Sequence, residues 1–173
     1  PANPSYDFHG LSGPDDLRSG TGTGTAPDPN AATLPLYTLD QVAYQLTHGY
    51  WQANGGDMRK FDVQVGDTLT FNIDALDANG QQAALQGLVA WAAVTGLTFV
   101  QTSGAADLTF DDEYAGAYAY SFGYGNTITQ SFINVDSGWQ VYGGYYLQTY
   151  IHEIGHALGL GHAGNYNGSG RFS

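Results

Sequence analysis

His152, Glu153, His156 and His162 fall in one run of eleven residues, His152-Glu153-Ile154-Gly155-His156-Ala157-Leu158-Gly159-Leu160-Gly161-His162. The run holds three of the five histidines in the chain and one of its two glutamates, the other being Glu113. It fits H-E-x-x-H extended to H-E-x-x-H-x-x-G-x-x-H, a pattern that suits a catalytic zinc. Residues four apart lie one turn apart on the same helix face, so His152 and His156 can point at one ion. At 3.6 residues per turn a straight helix would carry His162 off that face, so the chain must leave the helix and turn back. Gly159 can take the left-handed backbone of a helix C-terminus, and Gly161 loosens the same segment. Three neutral imidazoles suit zinc and leave a position for water, whose pKa the metal lowers to about 7. Glu153 follows a ligand directly and is expected to act as general base towards that water, then as proton donor to a leaving amine. His9 and His48, remote from the run, are expected to be ordinary surface or core histidines.

Helices and strands must position this run. Thr38-Leu39-Asp40-Gln41 has capping-box spacing and predicts a helix over about 39–48, with Leu39, Val42, Ala43 and Leu46 on one face. Residues 51–66 read as loop with a possible short strand. Thr68–Ile73 alternates and reads as a strand. Asn79 with Gln82 offers a helix start, and Ala84, Leu85, Leu88, Val89 and Ala92 form an apolar stripe within 81–95, closed by Gly96. Trp91 widens that stripe as a core residue. Strands are expected over 97–101, 107–110, 117–122 and 131–135, followed by the histidine-bearing helix from about Tyr145. Along that helix Leu147, Ile151, Ile154 and Leu158 share a face away from His152 and His156. The order predicts a mixed α/β (α+β) domain, a twisted sheet with helices packed on it. Residues 1–35, with Ser19–Thr25 alternating Gly and Thr and then Ala26-Pro27-Asp28-Pro29-Asn30, read as a loop-like segment.

Composition narrows the partners. The chain has 173 residues, enough for one domain with a sizeable core, and 42% of them are hydrophobic. Sixteen acids against four bases (Arg18, Arg59, Lys60, Arg171) give a net charge of −12. Such a surface repels phosphate backbones and anionic membranes, so neither nucleic acid nor membrane is an expected partner. No apolar run approaches the roughly 20 residues of a membrane span, and no signal peptide is visible. With no cysteine, a metal site must use nitrogen and oxygen ligands.

With the zinc run and the strand order in hand, the chain resembles the metzincin metalloproteases and, within them, the serralysins. Tyr37–Ala43 is similar to that family's N-terminal helix. Ala106–Phe110 followed by Ala117-Tyr118-Ala119-Tyr120 is similar to its third and fourth strands. His162-Ala163-Gly164-Asn165-Tyr166-Asn167 resembles H-P-G-x-Y-N with Ala163 in place of proline. The likeness covers roughly residues 36–167. Matrixins, a sister family, usually add histidine ligands for a structural zinc between strands, and none lies between residues 49 and 151.

The resemblance implies a mostly parallel sheet with an antiparallel edge strand, packed on two long helices including the zinc helix. It implies protein or peptide substrates paired along the fourth strand at Ala117, Tyr118 and Ala119, in the manner of β-augmentation. It implies Zn2+, with Ca2+ possible mainly outside this chain, and secretion from a bacterium. Asp111-Asp112-Glu113 offers clustered oxygens for a hard cation, although such triplets are usually solvated turns. Metzincins continue into a C-terminal subdomain with a methionine turn, and the one methionine here is Met58. Residues 36–173 are therefore expected to be the N-terminal part of a catalytic domain, with the C-terminal portion of the same enzyme as a partner. The leading expectation is a zinc-dependent endopeptidase. The alternative is a zinc-binding but catalytically inactive fragment that acts as a binding module.

Overall fold

The computed structural model describes residues 6–7 and 36–164, and the expected loop-like segment 1–35 lies almost wholly outside the described residues. The helix predicted over 39–48 begins with the expected capping box. The Thr38 hydroxyl accepts from the Gln41 amide, and the Gln41 side chain accepts from the Thr38 amide. It runs further than predicted, as α1 (Leu39–Tyr44), a π-helical segment (Gln45–Gly49) and α2 (Tyr50–Ala53). The apolar face expected on α1 is not buried. Leu39 is 87% exposed and Val42 38%. The chain turns inward only at its far end, where Tyr50 and Trp51 are buried.

Beyond it come β2 (Lys60–Phe61), β3 (Thr68–Asn72), α3 (Ala78–Thr95), β4 (Thr98–Gln101), β5 (Leu108–Asp111), β6 (Ala117–Tyr124), β7 (Thr127–Val135), a 3-10 turn (Ser137–Tyr142) and α4 (Gly144–Ala157). A two-residue strand β1 (Tyr6–Asp7), not anticipated, precedes them. The sheet order is β1-β6-β7-β5-β3-β4, with β2 also paired to β7. The pairs β2–β7, β3–β4, β3–β5 and β5–β7 are parallel, whereas β6–β7 and β1–β6 are antiparallel. The expected mostly parallel sheet with antiparallel pairing at one edge is therefore present. The antiparallel hairpin carries β6 to that side, and a register shift between Phe122 and Gly123 adjusts it near the turn.

Two long helices, α3 and α4, pack against each other, and α4 lies on β6 and β7. The stripe that α3 buries differs from the predicted one. Gly80, Ala83, Ala84, Gly87 and Leu88 face inward, while Leu85 and Val89 are 41% and 69% exposed. Small residues win the inner face because α4 comes so close. A methyl group on Gly87 would stand 2.8 Å from Ile154 Cδ1. The larger aliphatics would hold the helices apart. Helix α4 differs likewise. Its buried positions include Tyr146, Thr149, Tyr150, Glu153 and Ile154, while Leu147, Ile151 and Leu158 of the expected stripe are half-buried. Tyrosines can serve in this core because Tyr146 and Tyr150 pair their hydroxyls at 3.4 Å. Burial pushes the Tyr150 phenol far above its ordinary range.

The start of α3 is also set by a residue other than the one predicted. Asp77, not Asn79, is the N-cap, and its carboxylate accepts from the Gly80 amide at 2.8 Å. That bond, with a second from Gln140, holds the Asp77 carboxyl below its usual pKa. The far end closes at Gly96 in the left-handed conformation, as predicted. Trp91 is a packing residue as expected, half-buried, with its indole N–H donated to the Ile151 carbonyl at 2.8 Å.

Asp77→Ala should lower stability by about 1 kcal/mol at neutral pH. Because the folded-state pKa of Asp77 is depressed, this contribution is present above the unfolded carboxylate pKa of about 4 and fades as pH falls through the folded value. Thermal melts of both proteins should therefore differ at pH 7 and converge at pH 2. Gly87→Val should cost about 1–3 kcal/mol by forcing α3 from α4, measured by denaturant unfolding.

Candidate metal centre

Helix α4 ends in a Schellman arrangement. The Gly159 amide bonds the His156 carbonyl at 2.9 Å and the Leu160 amide reaches back to the Gly155 carbonyl at 3.0 Å. Gly159 has φ +109°, and any Cβ there would run into the Arg59 carbonyl, so both the dihedral and the space demand glycine. The chain then reverses and returns His162 to the helix. This is the turn that the spacing predicted.

His152, His156 and His162 are brought together. The Nε2 of His156 lies 2.9 Å from the Nε2 of His152 and 2.9 Å from the Nε2 of His162. The Nδ1–H of His156 donates to the Leu160 carbonyl at 2.8 Å, which leaves its Nε2 as a lone-pair donor. One nitrogen without a proton cannot hydrogen-bond both neighbours, whereas a shared cation satisfies all three. Two nitrogens bound tetrahedrally to one zinc would lie roughly 3.3 Å apart, close to the spacing seen. Among the described residues these three form the group of side chains able to hold a metal ion.

Electrostatics favour the same state. Burial, and then the charge of His162, lower the pKa of His152 to about 4. Burial above all puts His156 well below the ordinary value and lowers His162 too. At neutral pH the rings are uncharged, the form that binds metal. Glu153 is fully buried, its two carboxyl oxygens have no hydrogen-bond partner among the described residues, and burial raises its pKa to about 8. A nitrogen donor set at this spacing, with the carboxyl on the adjoining residue, fits a zinc ion with bound water. A pocket of about 370 Å³ beside the cluster is lined by Leu46, Trp91, Gln148 and the return loop.

None of the other candidate residues belongs to this three-histidine group. Ala117 and Ala119 on β6 are buried, and Tyr118 is half-buried on the opposite face, where it stacks with Tyr120. Strand β1 pairs with Tyr120 and Ser121, next to these positions. Asp111 and Asp112 use their carboxylates within the fold. Asp111 accepts from the Glu113 amide and Asp112 from the Asp77 amide. His48 stacks on Tyr44 away from the cluster, as expected, and His9 lies outside the described residues.

Several supporting residues were not anticipated. Ser131 donates to the Ala157 carbonyl at 2.7 Å, and Ser121 lies 2.9 Å from Ser131, so a buried hydroxyl chain ties the end of α4 to β7 and β6. Serines at inward positions of two apolar strands were the available signal. From the N-terminal helix, Leu46 offers its carbonyl to the Gly161 amide at 2.7 Å, and Trp51 donates its indole N–H to the Gly159 carbonyl at 3.0 Å. Tyr50 packs edge-on against His162 with ring centroids 5.2 Å apart. Nothing in the spacing of residues 46–51 marked them as neighbours of the site.

Fold and site together define a metzincin-like α/β domain. A serralysin of Photorhabdus laumondii is 33% identical over 147 residues, spanning 76% of this chain and 28% of that protein. The metalloprotease AprA of Pseudomonas entomophila is 32% identical over 166 residues, with 80% of this chain and 33% of that protein covered. Serralysin C of Dickeya chrysanthemi is 32% identical over 166 residues, with 76% and 33% covered. Over these residues the chain is a serralysin-type metzincin, and it spans about a third of the length of these relatives. Myroilysin, a solved structure, aligns over 53% of this chain and 47% of that chain at 25% identity with a TM-score of 0.37. No protein-family model matches the chain.

Gly159→Ala should break the return of His162. The variant should lose about 1–3 kcal/mol of stability from backbone strain and bind Zn2+ more weakly than wild type, read by thermal melts and by competition with a chelator.

Proposed function

We propose that this chain provides the catalytic centre of a zinc-dependent endopeptidase. The observation that carries the reading is the meeting of three imidazole Nε2 atoms, with a buried carboxyl group on the residue next to His152 that has no hydrogen-bond partner among the described residues. His152, His156 and His162 would hold the zinc. When bound, the metal would lower the pKa of its water to about 7 and polarise the scissile carbonyl. Glu153 would serve as the general base towards water and as the proton donor to the departing amine.

Substrates of this reading are proteins or peptides in extended conformation. The backbone of β6 at Ala117, Tyr118 and Ala119 would pair with them, which supports broad sequence tolerance because main-chain bonds dominate. Support comes from the position of β6 at the antiparallel side of the sheet and from its tie to α4 through Ser121 and Ser131. By resemblance the enzyme acts outside a bacterial cell. No described helix is long and apolar enough to cross a membrane. Since the matched relatives are about three times longer, full turnover is proposed to need further residues of the enzyme, including a C-terminal portion that completes the cleft.

Glu153→Ala in the full enzyme should lower kcat on a peptide substrate by at least about 100-fold, the low end of general acid–base contributions, while one equivalent of zinc is retained. Zinc content by mass spectrometry and peptide cleavage read the two outcomes. Unchanged turnover would dismiss the assignment, and zinc uptake without any turnover by the full wild-type enzyme would favour a binding module instead.

A further inference from the structure

The third ligand is the exposed weakness of this centre. His152 and His156 are held by a regular helix, but His162 sits on a return loop. That loop is gripped from one side by a segment more than a hundred residues earlier in the chain. At Gly159 the carbonyl accepts the Trp51 indole N–H at 3.0 Å, an interaction between buried groups. Trp51 is only 7% exposed, and the Arg59 guanidinium lies 3.7 Å over the centroid of its ring. Arg59 in turn presents its carbonyl to the face of Gly159 that lacks a side chain. Two residues further on, the Gly161 amide is bound to the Leu46 carbonyl, and the missing Cβ of Gly161 leaves the space that the Tyr50 ring fills. Tyr50 stands edge-on to both Trp51 and His162.

The π-helical segment explains how one short stretch makes these contacts. Gln45–Gly49 is wound more widely than an α-helix, so each residue turns through a smaller angle, and Tyr50 and Trp51, four and five residues on, fall back towards the side of Leu46. Leu46, Tyr50 and Trp51 thereby reach the same loop at Gly161, His162 and Gly159. Single-turn π segments are frequent at functional sites.

We infer that Trp51 is a positioning residue for the third metal ligand: its indole N–H on the Gly159 carbonyl, with Tyr50 against the His162 ring, holds His162 in metal-binding register. The inference rests on the proposed metal centre. Trp51 is not one of the three residues that would hold the metal. It acts through the loop, and so its loss shows in metal affinity and ligand count rather than in the chemical step alone.

The test uses Zn2+ alone as probe, on the full enzyme. Trp51→Phe keeps a ring under Arg59 and deletes the N–H donor. Trp139→Phe, at a buried tryptophan in the 3-10 turn before α4, serves as the control for a general loss of core packing. Zinc affinity by chelator competition should fall about 10- to 100-fold in Trp51→Phe, the range typical of partners that orient a ligand, and stay near wild type in Trp139→Phe. X-ray absorption at the zinc edge should count fewer histidines in Trp51→Phe. Benzothienylalanine at position 51 replaces N–H by sulfur with little change of shape. It should reproduce the loss in a protein that melts like wild type, so a folding defect in Trp51→Phe does not decide the matter. Zinc affinity and histidine count unchanged in the benzothienylalanine protein would overturn the inference and leave the metal centre standing. Failure of the wild-type enzyme to take up zinc would overturn both.

Discussion

Three imidazole nitrogens must meet at one point, and a straight helix can deliver only two of them. The rest of the structure answers that constraint. Helix α4 supplies His152 and His156 one turn apart. The Schellman ending and the left-handed Gly159 reverse the chain within two residues. The reversal also yields the Leu160 carbonyl that fixes the tautomer of His156. The turn and the orientation of His156 are thus linked, since the return loop that follows the helix supplies the carbonyl on which His156 rests.

Such a centre is unfavourable on its own. It buries three ring nitrogens and a carboxyl, and the lowered histidine pKa values together with the raised value of Glu153 register the cost of removing charge from water. That cost is carried by packing elsewhere. Close approach of α3 and α4 through glycine and alanine, and a core of Leu108, Phe110, Ile133, Val135 and Ile154, hold α4 against the sheet. Ser131, paired with Ser121 across β6 and β7, donates to the Ala157 carbonyl, so the last carbonyl of α4 is bonded to the sheet rather than to solvent. The same strands therefore set the depth of the histidines and carry the antiparallel side of the sheet. Movement of one would move the other.

Much of this was legible along the chain. The periodicity of residues 68–73, the capping signals at Thr38 and the Gly96 stop located elements whose signals are local. The histidine spacing, Gly159 included, described a centre that depends on contacts within eleven residues. Burial of the helix faces was less legible. In α3 the larger aliphatics Leu85 and Val89 looked like the core side, yet Gly80, Ala83 and Gly87 occupy it, because the distance between two helices is fixed by both partners and one helix pattern describes only itself. In α4, Tyr150 and Thr149 took inward places that polarity would assign to the surface.

Residue types and spacing by themselves determined that a three-histidine site with an adjoining carboxylate forms at the end of a helix, in a mixed α/β domain. Only the tertiary structure decided what holds that site closed: Leu46, Tyr50 and Trp51 against the return loop, Arg59 behind it, and Ser121 and Ser131 beneath the helix end. The physical reason is sequence distance. Hydrogen bonds within a turn follow from backbone geometry that each residue carries with it, whereas a contact between Trp51 and Gly159 exists only after the sheet and both long helices have packed and brought them together.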